Sequence, residues 1–363
     1  MKNKEIPVLE DYCLESGIYG IPAAAEEFDV NKFRYLRITD ISDDGVLLSD
    51  DVKSISNEDA AKYLLTEDDI VFARTGNSTG RTYFYDKRDG KLVFAGFLIK
   101  YKLDPNKINP KYLKYFTISK QYKHWVDNFS TGSTRGNMSA QDFGGMPLIV
   151  PDRKQQNLLV KILDSITYKI SLNNRINSEL EQMAKTLYNY WFVQFDFPNE
   201  KGEPYKSSGG KMEYNNELKR EIPKEWEVGK LVEVANITMG QSPSGKSYNE
   251  VGEGMVFYQG STDFNFRYPL VRMYTTEPSR IANEEDILLS VRAPVGTINI
   301  ANEKCCIGRG LASLNSKFEA NSFLLYLMFY FKSMLDVQNR TGTTFGSIDK
   351  DTLYDLKFAK PPV

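Results

Sequence analysis

The sequence predicts an α+β chain: two tandem, pseudo-repeated domains joined by a long coiled-coil-type helix. Three observations carry this. Short loop motifs recur in the same order in both halves. A stretch free of Pro and Gly, Arg153 to Trp191, separates the copies. Each half mixes β-type runs (Leu92 to Leu103, Asp286 to Val291) with helix-type runs (Pro110 to Val126, Ala320 to Val337), the pattern of α+β domains.

The repeat is read from three pairs. Thr131, Gly132, Thr134 and Gly136 recur as Thr341, Gly342, Thr344 and Gly346, 210 positions on. Each copy then runs into an apolar strand and a proline, Met146 to Pro151 and Leu356 to Pro361. Glu67 to Arg74 resembles Glu285 to Arg292 with a one-residue gap, and Ala95 to Leu98 resembles Arg309 to Ala312. Three matches in one order at offsets of 210 to 218 point to a duplicated domain of about 150 residues.

Composition bounds the chemistry. With 363 residues, two or three domains are expected. At 41% hydrophobic and 13% aromatic the chain can bury real cores. Net charge is -2, so a nucleic-acid site must be a local patch. A single histidine, His124, excludes multi-His metal sites. Cys13, Cys305 and Cys306 have neither disulfide nor zinc spacing, which fits a reducing, cytoplasmic setting. No signal peptide is read at the start. The longest apolar run, Phe323 to Phe331, is far shorter than a membrane span; it reads as part of a buried helix, and no membrane partner is expected. The acidic run Asp40 to Asp69, ten Asp or Glu against two Lys, is expected to be a solvated face turned away from nucleic acid.

The central stretch has a heptad seam. Leu159, Leu163, Ile166, Ile170, Asn173, Asn177, Leu180, Ala184, Leu187 and Trp191 follow one another at spacings of four and three. Asn in such a seam weakens the coil but fixes register and partner. The plainer alternative is an amphipathic helix packed on a globular core. As a rod it would be about 48 Å long, about 14 base pairs of B-DNA. Asp196 to Lys211, rich in Pro, Gly and Ser, reads as a loop or linker. The expected parts are residues 1–152, the helix 153–195, a linker 196–221 and a second domain 222–363.

One motif is a decoy. Gly240 to Ser247, GQSPSGKS, fits a phosphate loop letter for letter. A strand is plausible before it, at Leu231 to Met239, but no helix is expected after it, and such a loop needs one. The stretch reads better as a glycine-rich surface loop approaching DNA. Methyl transfer lacks its Asn/Asp-Pro-Pro-Tyr/Phe and FxGxG stretches. Asp152 and Glu217-Leu218-Lys219 are too far apart for a nuclease.

What remains is a set of loops dense in Arg, Lys, Ser, Thr, Asn, Gln and Gly. Arg and Lys reach guanine or phosphate, Asn and Gln reach adenine, and hydroxyls and backbone amides take phosphate. In the first half the candidates are Arg37, Arg74, Thr75, Asn77, Ser78, Arg81, Lys120, Lys123, Ser133, Thr134, Arg135 and Asn137. In the second they are Gln241, Ser242, Lys246, Gln259, Ser261, Arg292, Arg309, Thr343, Thr344 and Ser347. Lys111, Lys114, Lys120 and Lys123 are expected along one helical region. Any one such loop alone reads more readily as a simple turn; recurrence at the same place in both halves shifts the balance towards function. No catalytic or metal site is read.

The chain resembles the specificity subunit of type I restriction–modification systems over nearly its whole length. The resemblance is strongest in MAKTLYNYWFVQFDFPNEKGEPYKSSGGKMEYNNELKREIPKEWEVGKL, from Met183 to Leu231. ITMGQSPSGKSYNE, FYQGSTDF, DILLSVRAPVGTINIA and CCIGRGLA carry it in the second half. It implies two target-recognition domains, each reading half of a split double-stranded DNA target. It also implies helices that bind two modification subunits, which carry S-adenosylmethionine and methylate adenine. Restriction subunits, with ATP and Mg, would join that core, and this chain would hold no cofactor. The family pattern places a second long helix after the second domain, where the sequence ends at Val363. The expectation is that the rod pairs in trans, with modification subunits or through self-association. The rival readings are a DNA-free coiled-coil scaffold, an NTPase using Lys246, and a specificity chain for a fused nuclease–methyltransferase.

Overall fold

A computed structural model of the chain describes residues 6–49, 51–131, 137–340 and 347–362. It divides into two compact units, Met1–Arg175 and Ile176–Val363.

The first unit holds strands β1 (Ile18–Tyr19), β2 (Glu26–Glu27), β3 (Phe33–Leu36), β4 (Lys53–Ile55), β5 (Asp69–Ala73), β6 (Thr82–Phe84), β7 (Leu92–Phe94) and β8 (Leu98–Lys102). Helices α1 (Pro110–Phe116), α2 (Lys120–Thr131), α3 (Ala140–Gly144) and α4 (Arg153–Tyr188) follow, α4 continuing past the unit's end at Arg175. The strands form two sheets, β1-β8-β5-β6 and β2-β4-β3-β7. Strand β5 is buried along its whole length, so its alternating side chains feed two cores. Ile70 and Phe72 pack with Ile99, Tyr101 and the helical residues Leu113, Tyr122 and Phe143. Val71 and Ala73 pack with Leu36, Leu92 and Phe94 of the second sheet.

The second unit holds β9 (Met212–Asn215), β10 (Arg220–Pro223), β11 (Glu227–Lys230), α5 (Leu231–Val234), β12 (Ala235–Met239), β13 (Tyr248–Asn249), β14 (Met255–Tyr258), β15 (Tyr274–Thr275), β16 (Ile281–Ala282), β17 (Ile287–Ser290), β18 (Ile298–Ile300), β19 (Cys305–Ile307), β20 (Leu311–Ser316), α6 (Asn321–Arg340), α7 (Lys350–Tyr354) and β21 (Lys357–Lys360). Its main sheets are β12-β20-β17-β18 and β13-β15-β14-β19-β16. Ile287 and Leu289 of β17 face a helical core with Leu324, Leu327 and Phe331. Leu288 faces Val256, Tyr258 and Ile307 of the other sheet. The two units therefore repeat one architecture, down to the parallel pairs β3–β7 and β14–β19.

Strand pairing gives the register of the repeat. Asp68 and Glu285 both take the left-handed conformation, φ 64° and 65°. The next residues, Asp69 and Asp286, each accept a backbone N–H three positions back, from Thr66 at 2.7 Å and Asn283 at 2.9 Å. Ala73 pairs with Leu98 as Ser290 pairs with Leu311. Two of the sequence matches are thus one residue out: Thr75, not Arg74, corresponds to Arg292, and Leu98, not Phe97, to Leu311. Letter matching favoured the shared Arg and Gly, whereas ladder hydrogen bonds fix true equivalence.

Several element boundaries also differ from expectation. The run Leu92 to Leu103 splits at Ala95 to Phe97, where a turn closed by Leu98 N–H on Ala95 O (2.8 Å) carries the chain between sheets. The run Pro110 to Val126 splits after Phe116. The Thr117 hydroxyl accepts from Thr82 (2.8 Å) and donates to Lys114 O (3.1 Å), a local alternative to helical bonding. Leu231 to Val234 is a helical turn rather than strand; its Leu231 N–H bonds Leu356 O, as Leu9 N–H bonds Met146 O. Of the two strands expected before the prolines, β21 forms, whereas 146–151 makes one bridge, Pro147 with Val8. The segment read as a linker is folded. β9 and β10 form a hairpin, and Phe195, Ile222 and Trp226 make a small core with Phe197, Met212 and Leu218.

α4 and the π-type turn Asn189–Val193 realise the long helix. Its N-terminal part is tied within the first unit: Asp164 accepts from Lys111 (2.8 Å) and the Tyr115 hydroxyl (2.6 Å). Burial pushes the Asp164 carboxyl upward, but these hydrogen bonds outweigh it and hold the pKa below the usual range. Its C-terminal part is tied within the second unit by Glu181 to Arg267 (3.2 Å) and by buried Tyr188. Seam residues Leu159, Ile166, Ile170, Leu180 and Leu187 are exposed. Leu158, Ile162, Leu172, Ile176 and Met183, outside the seam, are exposed too. The apolar face is therefore broader than a two-position seam.

Candidate nucleic-acid interface

In the first unit four chain segments meet at one end of the β1-β8-β5-β6 sheet. Arg74 N–H donates to Phe97 O (3.0 Å), Met138 N–H to Arg74 O (2.9 Å), and Gly20 N–H to Leu98 O (3.1 Å). The Arg74 Nε donates to Met138 O at 3.2 Å, and its guanidinium carbon lies 5.0 Å from the centre of the Tyr19 ring. The Thr75 hydroxyl bonds the Asn137 side-chain oxygen. Phe97 is 59% exposed beside them. The structure thus gathers Arg74, Thr75 and Asn137, and adds Tyr19 and Phe97, which the sequence reading missed. An aromatic at a strand end carries no signal that separates it from core.

The second unit builds the same junction with other side chains. Val291 N–H donates to Gly310 O, Ile348 N–H to Val291 O, and Gly240 N–H to Leu311 O, each at 2.9 Å. The Ser242 hydroxyl accepts from Gln259 Nε2 (3.0 Å) and the Arg309 N–H (3.2 Å). Arg292 forms a bridge with Ser347. Gln241, Ser242, Gln259, Arg292, Arg309 and Ser347 therefore stand together, with Ser261 one turn beyond Gln259. Among the described residues Arg292, Arg309 and Lys246 have no ion-pair partner.

Other candidates have structural work. Arg37 is bound by Asp40 (2.7 Å) and Asp51 (3.1 Å), and the Asp40 carboxylate holds its pKa above the ordinary value. Arg81 is bound by Asp43 (2.6 Å) and Ile41 O (3.1 Å), and Ser78 is buried beneath it. Asp40 and Asp69, read as part of a solvated acidic face, are buried. Asn77 is exposed on the turn Gly76–Ser78. Lys120 and Lys123 are exposed on α2, whose other side is buried through Tyr122 and Val126. Lys111 and Lys114 lie on α1 instead. Lys111 pairs with Asp164, and burial pushes the Lys114 pKa down. Ser133, Thr134, Arg135, Thr343 and Thr344 lie outside the described residues.

The phosphate-loop reading of Gly240 to Ser247 lacks its helix. Gly245–Ser247 is a single tight turn leading into β13. The Ser247 hydroxyl is buried against Thr275 (2.7 Å) and Ser244 O (2.7 Å).

A family model described as the type I restriction modification DNA specificity domain matches residues 19–182 and 223–363. The chain belongs to this family. It is similar to a protein of Methanocaldococcus jannaschii assigned as the specificity subunit of the type I restriction enzyme MjaX. Identity is 32% over 322 residues, 86% of this chain and 72% of that protein. It is also similar to the HindI specificity subunit of Haemophilus influenzae, 28% identical over 141 residues, 38% of this chain and 30% of that one. Among solved structures, the S subunit of a type I restriction–modification system from M. genitalium has a TM-score of 0.54. It is 14% identical and covers 99% of this chain and 86% of its own; at that identity the likeness speaks to fold alone. The type I specificity family thus accounts for the doubled architecture and the long helix between the copies. Among the described residues no helix is long and apolar enough to cross a membrane.

Proposed function

We propose that this chain is the non-catalytic DNA-reading subunit of a type I restriction–modification complex. Its two recognition domains, residues 1–152 and 222–363, each read one half of a bipartite target. Partner subunits then methylate adenine or cleave. The observation that carries this is the duplicated junction: one backbone framework presents Arg74, Thr75 and Asn137 in one copy and Arg292, Gln259 and Arg309 in the other. Common scaffold with different side chains is what reading two different half-sites requires. Tethering makes the second contact intramolecular, so neither domain alone needs tight binding.

The broad exposed apolar face of α4 supports partner docking, since an uncovered stripe of that size is a protein-binding feature. Two modification subunits carrying S-adenosylmethionine would dock there, and restriction subunits with ATP would join them. Pairing with a second copy would use the same face. The work would take place in the cytoplasm, with no cofactor on this chain. A domain exchange tests the reading: residues 1–152 are replaced by the matching segment of another family member and the methylated motif is mapped. One half of the motif should change and the other persist. A change in both halves would refute the assignment.

A further inference from the structure

Several arginines of the first unit are held by the fold itself. Arg37, Arg81 and Arg88 are neutralised by the carboxylates of Asp40, Asp43 and Asp86. Arg34 donates to the carbonyl of Leu48 at 2.5 Å. These are cations consumed by the fold. Arg74 is different. Among the described residues no carboxylate pairs with it, and its contacts are Met138 O at Nε and the Tyr19 ring beneath the guanidinium. Its backbone is bonded on both sides, N–H to Phe97 O and C=O to Met138 N–H. The shelf is fixed as well: Tyr19 is in β1, paired with Ile99, and its hydroxyl accepts the Ala140 N–H at 3.0 Å.

This arrangement holds the guanidinium plane and leaves its two terminal nitrogens as a pair of donors with no hydrogen-bond partner among the described residues. Such a pair matches two adjacent acceptors. In the major groove only guanine shows two acceptors side by side, O6 and N7. We infer that Arg74, laid on Tyr19 and pinned by Met138, reads one guanine in the half-site of the first domain. The inference rests on the DNA-reading assignment above and names the base and the positioning residue. Holding the side chain in advance removes rotamer entropy that binding would otherwise cost. The device belongs to one half only. In the second unit Val291 takes the place of Arg74 and Met239 that of Tyr19, so the second half-site is read by other means.

The test uses the full chain assembled with its modification subunits, on duplexes carrying the mapped target. Each guanine of the first half-site is replaced in turn by 7-deazaguanine, which lacks the N7 acceptor. At one position the wild-type complex should lose about 5- to 150-fold in affinity. Arg74→Ala and Arg74→Lys should bind the normal duplex weakly by a similar factor and show no further loss with 7-deazaguanine. Lys keeps the charge but not the planar fork that Met138 and Tyr19 hold, so its failure separates fixed base reading from charge alone. Tyr19→Phe should keep the response and Tyr19→Leu should diminish it. Sensitivity to the second half-site and to the other base pairs of the first should be unchanged in every variant, which also reports that both units are folded. A complex that binds a bipartite target but ignores every N7 overturns the inference alone. So does an Arg74→Ala complex weakened evenly on all sequences, the mark of a phosphate contact. A complex that binds no bipartite target overturns both the inference and the reading beneath it.

Discussion

Gly20 and Gly240 occupy the same point of their respective units, and neither has room for a side chain. A Cβ on Gly20 would meet Ala95 O at 2.2 Å, and one on Gly240 would meet Gly308 O at 2.2 Å. Ala95 and Gly308 are themselves equivalent, each carbonyl accepting the N–H three residues on, from Leu98 and Leu311. Each glycine lets the strand before it, β1 or β12, pass against the turn between sheets, where the candidate DNA-reading segments converge.

Gly20→Ala should therefore destabilise the first unit by about 2 kcal/mol or more, and Gly240→Ala the second, because backbone rather than a flexible side chain must move. Hydrogen exchange of the full chain checks this. Protection should fall across one unit and stay unchanged in the other.

Arg37→Ala and Lys120→Ala should separate structural from DNA-facing cations. Loss of Arg37 leaves Asp40 buried without its partner, costing about 2–4 kcal/mol of first-unit stability with no change of target. Lys120→Ala should leave stability alone, weaken DNA binding evenly and reduce the salt slope by about one. Thermal unfolding and salt-titrated binding of the two variants decide between these roles.

Ser242→Ala removes the hydroxyl that holds Gln259 Nε2 and the Arg309 N–H. The expected result is relaxed discrimination at one position of the second half-site, with the first half-site read as before. Competition binding with single-base variants of each half-site measures it.

Tyr115→Phe removes a donor from Asp164 and should cost about 1 kcal/mol in the first unit. The Asp164 pKa is depressed in the fold. Its stabilising contribution is therefore complete above the unfolded carboxylate pKa of about 4 and is lost as pH falls through the depressed value. Urea unfolding followed from pH 7 downward should show the penalty constant to about pH 4 and shrinking below it.

Much of the architecture was legible because it rests on patterns the sequence states directly. Thirty-six residues of α4 follow from a run without Pro or Gly, and the repeat follows from loops in a shared order. Register was not legible. Arg74 and Arg292 look equivalent as letters, and only the pairing of Ala73 with Leu98 and Ser290 with Leu311 shows that they are not. The equivalence of Gly20 and Gly240 escaped notice because their neighbours, Ile21-Pro22 and Gln241-Ser242, share no chemistry. Arg37 and Arg81 looked free because the carboxylates that bind them are brought up by the fold, Asp40 by a tight turn and Asp51 and Asp43 by other loops. Tyr19 was hidden because its role depends on a cation that arrives from β5.

The most direct measurement is adenine-methylation mapping by single-molecule sequencing, in cells with and without this gene, its modification partner present in both. Loss of one methylated motif, two short blocks around a fixed gap, is the predicted result. A methylation pattern identical in the two strains would contradict the assignment of this chain as the subunit that chooses the target.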